Sequence, residues 1–224
     1  MNEIIIQAIQ EIQCLSQNIE EGKHIATGDI RKLSSALYKK IENKNINNVL
    51  VLCEELLELH AWEMGVIAYD WAYKVRKQYT KETYNVFYSW LKKYVRGWGD
   101  CDDLCTHAFA ELLRKDKTLF FEIIEWTKAK EFWIRRASAV ILIPAIVHND
   151  YDNINLLIIS DALLEDEHDL VRKGYGWMLK ALSKVEPDTV KKYLIANHAR
   201  MPRVAYRYAL EKFDKETKTE LMNL

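Results

Sequence analysis

Three stretches of this chain repeat one pattern. Trp133-Ile134-Arg135-Arg136-Ala137-Ser138-Ala139-Val140, Leu170-Val171-Arg172-Lys173-Gly174-Tyr175-Gly176-Trp177 and Met201-Pro202-Arg203-Val204-Ala205-Tyr206-Arg207-Tyr208 each open with an apolar residue. One or two basic residues follow, then a small residue, then an apolar run. Their spacing of roughly 30–40 residues is that of two-helix repeat units. Such a unit cannot bury its apolar stripe alone, so neighbours stack on one another.

The rest of the sequence agrees with an all-helical chain. Only 7 Gly and 3 Pro occur in 224 residues, too few for an all-β or loop-rich fold. Apolar residues recur at helical spacing from the start, as in Ile5, Ile9, Ile12 and Leu15. The pattern predicts helices over 81–95, from an Asp100 N-cap to about Arg114, and over 117–129, 132–147, 154–164, 168–183, 188–197 and 202–213. The expected architecture is an α-α superhelix of the HEAT or armadillo type with about six helix pairs. It is read as a single solenoid domain over residues 1–224. The second helix of each pair is expected to line the concave face.

Net charge is −1, so a nucleic-acid role requires basic residues gathered on one face. Lys74, Arg76, Lys77, Arg135, Arg136, Arg172, Lys173, Arg203 and Arg207 all fall on second helices, which places a basic lining there. Cys14, Cys53, Cys101 and Cys105 form no disulfide framework and suit a reducing cytosol. Cys101, Cys105 and His107 have the wrong spacing for a zinc site, so no metal and no other cofactor is expected. No signal peptide or membrane span is read, and a cytoplasmic monomer is expected.

The stretch that carries chemistry is Gly97-Trp98-Gly99-Asp100-Cys101-Asp102-Asp103-Leu104-Cys105. With Asp100 as N-cap, Asp102 lies in the first turn, where free N–H groups and the helix dipole favour an anion. Trp98 precedes it by about one turn. Trp133-Ile134-Arg135-Arg136 and Gly174-Tyr175-Gly176-Trp177 are the segments expected to converge on it. Indole faces attract cations and stack on sugars and bases. A carboxylate beside them stabilises positive charge in a transition state or orients water. An Arg nearby grips a phosphate or holds the Asp. The set suits cleavage of a glycosidic bond to a base that is already cationic.

These motifs resemble the DNA alkylation repair glycosylases of the AlkD family. The resemblance is carried by Trp98 to Cys105, Phe132 to Ala137, Lys173 to Lys180 and Met201 to Lys212, and is weakest over residues 1–28. It implies a HEAT-like solenoid that excises N3- or N7-alkylated purines from duplex DNA, in base excision repair, without a deep base pocket. It implies that Asp102 is the catalytic carboxylate and that Trp98 and Trp177 cradle the lesion nucleotide. Arg136 is the matching arginine, gripping the backbone, with Arg135 the alternative register. Arg135, Trp133, Arg172, Lys173, Arg203 and Arg207 are the expected DNA contacts. Two other readings fit the same residues: a HEAT-like DNA-structure binder without catalysis, and a protein–protein scaffold.

Overall fold

The computed structural model describes residues 2–17, 19–20 and 22–224. The chain divides into two compact units, 1–95 and 96–224. Among the described residues every regular element is a helix. The first unit holds α1 (Glu3–Gln17), α2 (Thr27–Lys40), α3 (Ile46–Leu57), α4 (Trp62–Lys74) and α5 (Lys81–Lys93). The second holds α6 (Trp98–Leu104), α7 (Ala110–Lys115), α8 (Phe120–Trp126), α9 (Phe132–Val140), α10 (Ile143–Val147), α11 (Leu157–Leu163), α12 (Asp169–Leu182), α13 (Pro187–Asn197), α14 (Arg203–Leu210) and α15 (Lys215–Met222).

In the first unit α4 packs against both α2 and α3. It is apolar almost all round, and Met64, Val66, Ile67, Tyr69 and Trp71 are buried, as a helix enclosed by neighbours must be. The Trp71 indole N–H donates to the Ser34 carbonyl at 3.1 Å, which satisfies the polar atom that burial would otherwise strand. The helix starts are fixed locally. Asn45 accepts from the Asn47 N–H to cap α3, and Thr80 with Thr83 forms a capping box on α5.

In the second unit α12 is the central helix, packed between α9 and α14. Its Val171, Tyr175, Met178, Leu179 and Leu182 are buried. The outer helices α8 and α11 cover α9 and α12. The Tyr175 hydroxyl donates to the Leu164 carbonyl at 2.9 Å and ties α12 to the end of α11.

Several boundaries differ from the sequence expectation. Apolar spacing predicts the first helix over 2–20; the described helix is Glu3–Gln17, and position 18 lies outside the described residues. Thr27 and Asp29 are residue types that favour capping and are the expected caps of the second helix, but Ala26 holds the N-cap of α2. The predicted helix 132–147 breaks after Val140, because Pro144 has no N–H to continue a ladder and opens a new short helix near its N-terminus. The sequence reading ended the helices at Phe213 and missed α15, which Asp214 caps by accepting from the Thr217 N–H.

Candidate active site

The helix that carries the Trp98 motif starts earlier than its capping signal suggests. Gly97 is the N-cap and Trp98 the first helical residue, so Asp100 sits inside the first turn instead of capping it. Asp102 is therefore a full turn in, on the same side as Trp98 by the i, i+4 rule. Trp98 is 57% exposed, a large value for an indole within a packed unit. Burial raises the Asp100 carboxyl above its usual range, and the neighbouring Asp103 charge adds to this against the pull of a backbone N–H at Arg96. After Leu104 the helix widens into a π turn, Cys105–Phe109. The Thr106 hydroxyl donates to the Asp102 carbonyl at 2.7 Å within it. Such bulges re-aim the side chains around them.

Arg136 on α9 meets Asp102 in a two-pronged ion pair. Its Nε donates to Oδ1 and its Nη2 to Oδ2, both at 2.7 Å. Its Nη1 donates to the Leu170 carbonyl in the first turn of α12 at 2.5 Å. One guanidinium thus joins three helices. Its side chain is 7% exposed and that of Asp102 17%. Burial alone would lower the Arg136 pKa, but the hydrogen bonds and charge of Asp102 more than offset it, and the net direction is upward. An ionised carboxylate offers about four acceptor positions. Arg136 takes two, which leaves about two on a carboxylate whose side chain is not wholly enclosed.

The arginine expected to grip a DNA backbone is therefore turned inward onto the aspartate. The same correction applies to Arg135. Its Nε and Nη2 donate to Asp166 at 2.6 and 3.2 Å, and its Nη1 donates to the carbonyls of Ala129 and Lys130. Arg172 donates to the Asp166 carbonyl and pairs with Asp169 at 3.3 Å. Sequence reasoning missed Asp166, because an acidic run Glu165-Asp166-Glu167 reads as a solvated turn. Its signal was only that two arginines one repeat apart needed a countercharge.

Trp133 is half-buried, and its buried indole Nε1 has no hydrogen-bond partner among the described residues. The Arg96 guanidinium lies 6.0 Å from its ring centroid, Phe132 meets it edge-on, and its carbonyl accepts from Cys101 Sγ at 3.2 Å. It packs the start of α9 onto α6 more than it offers a stacking face. Trp177 is half-buried on α12. Lys173 is half-buried, while Arg203 and Arg207 are exposed. The Arg203 guanidinium lies 5.8 Å from the Tyr206 ring. The arrangement is a fixed carboxylate near the surface beside an exposed indole, with exposed cations on α14 of the same unit.

Comparisons with known proteins bear on the family and the fold. The family model described as DNA alkylation repair enzyme matches residues 23–213. The crystal structure of smu.31 from Streptococcus mutans UA159 superposes with a TM-score of 0.65 at 20% identity, over 95% of this chain and 100% of that one. A protein from Enterococcus faecalis, described as a predicted DNA alkylation repair enzyme, gives 0.66 at 18% identity, over 95% and 96%. AlkD2 from Streptococcus mutans gives 0.64 at 22% identity, over 92% and 99%. No curated protein matches. At these identities the structures establish the fold, an α-α solenoid of helix pairs, and the family match extends over most of the sequence. By that match, the chain belongs to the DNA alkylation repair enzyme family.

Proposed function

We propose that the protein is a DNA glycosylase that removes cationic N3- or N7-alkylated purines from duplex DNA. The observation that carries this is the Asp102 carboxylate, fixed through both oxygens by Arg136 and still partly exposed, one turn from the exposed Trp98. As the N-glycosidic bond breaks, the purine leaves with the bonding electrons and becomes neutral. The sugar is left oxocarbenium-like until water adds to it. No general acid is needed for such a leaving group. A carboxylate already oriented by its arginine needs no reorganisation as the positive charge develops, which is where electrostatic catalysis is strongest. Asp102 stabilises that charge or holds the attacking water, and Arg136 sets its direction. Trp98 and Trp177 supply the aromatic faces for the lesion nucleotide. Lys173, Arg203 and Arg207 supply the phosphate contacts, while Arg135, Arg172 and Trp133 hold the framework behind them.

The test is release of methylated purine from methylated duplex DNA under single-turnover conditions. The wild type releases the base, and Asp102→Asn loses at least about 100-fold in rate, in line with removal of a preorganised charge. A wild type that binds DNA without releasing base would make the protein a DNA-structure binder. One that does neither would make it a protein scaffold.

A further inference from the structure

Gly174 and Gly176 sit inside α12, where a glycine is a poor helix former and alanine a good one. Neither is there for a turn or a left-handed backbone, since both lie in regular helix. Their neighbours explain them. A Cβ on Gly174 would lie 3.1 Å from Arg136 Cγ and 3.4 Å from its Nη1. A Cβ on Gly176 would lie 2.8 Å from Tyr208 Cβ and 2.9 Å from the Ala205 carbonyl oxygen. The second contact lets α14 approach α12. The first is with the arginine that holds Asp102.

We propose that Gly174 is a positioning residue for catalysis: its missing side chain is the seat in which the Arg136 stem lies, and that seat aims the guanidinium at Asp102. A long side chain normally escapes a contact of this kind by rotating. Arg136 has little room to do so, because its far end is held at Asp102 and at the Leu170 carbonyl. A methyl group at position 174 displaces the stem, and the displacement passes to the carboxylate. A contact at 3.1 Å asks the stem to give by a few tenths of an ångström, and a shift in the aim of a catalytic group reduces rate far more than it reduces binding. The inference rests on the glycosylase reading, and its test separates the two.

The experiment is a cycle of Gly174→Ala, Arg136→Ala and the double variant, read by thermal melting and by single-turnover release from duplex DNA methylated with dimethyl sulfate. If Gly174 is the seat, Gly174→Ala lowers the release rate at least about 10-fold with DNA affinity within about 2-fold of wild type. The melting temperature of that single variant stays level or falls. In the Arg136→Ala background the stem is gone, so the same substitution shows the ordinary gain of alanine in a helix, about 2–4 °C. An equal rise in both backgrounds overturns the proposal whatever the rates are. So does a Gly174→Ala single variant with the wild-type rate, a result that decides the matter even if Arg136→Ala does not fold. A wild type that releases no base defeats the glycosylase reading, and the melting cycle then decides the seat on its own.

Discussion

The Asp102–Arg136 pair should behave as one energetic unit. Asp102→Ala leaves a guanidinium in the interior with the Leu170 carbonyl as its remaining partner in the site. Breaking a buried ion pair from one side costs about 3–5 kcal/mol. Arg136→Ala leaves a carboxylate that water reaches in part, and it also removes the stem packed on Gly174. We expect about 3 kcal/mol for that change, from partial desolvation and lost packing together. A chain of this size shifts its melting temperature by about 2–4 °C per kcal/mol, so each single variant loses on the order of 10 °C. The double variant removes both charges and leaves neither stranded. Its cost falls short of the sum by about 1.5–3 kcal/mol, the upper part of the range for contacting residues. The assay is urea unfolding followed by tryptophan fluorescence, with equal slopes required across the four proteins. Single costs that add to within about 0.5 kcal/mol would refute the account of a shared, partly buried pair.

Arg135 and Arg207 should separate by salt. Arg207→Ala is expected to reduce the salt slope of DNA binding by about 1 with little change in stability, and Arg135→Ala to lose about 2 kcal/mol of stability with the slope intact; fluorescence titration across salt concentrations checks both. Asp100 has its carboxyl raised by burial. For an acid this means the fold favours the protonated form, so its contribution is present at low pH and lost as pH rises through the folded-state value. Asp100→Asn should therefore stabilise the protein at pH 7, with the gain shrinking as pH falls toward about 4 in thermal melts. Glu54 runs the other way. Burial alone would raise it, but hydrogen bonds from Trp90, Tyr94 and Lys93 bring it below its usual range. Glu54→Gln should cost stability at neutral pH, and the gap to wild type should close as pH falls below about 4. Gly176→Ala should lose about 1–3 kcal/mol despite the better helix former, because the new methyl meets backbone on α14; a raised urea midpoint would refute the contact.

Helix type and repeat period were open to reading because they are local. Apolar spacing in α5, α12 and α14 reports which face each helix buries, and the recurrence of apolar, basic and small residues reports that neighbours stack alike. Trp98 and Asp102 share a helix, so their alignment was already implied by their spacing. Partner choice was not local. Arg135 and Arg136 are adjacent and chemically identical, yet one turns to Asp166 and the other to Asp102, roughly a repeat away in opposite directions along the chain. Successive helical residues point about 100° apart, so only the packing of α9 against α6 and α12 decides which arginine meets which carboxylate. The glycines of α12 show the same division. Composition marks them as unusual within a helix, and only the contact with Arg136 and Tyr208 shows what their missing side chains make room for.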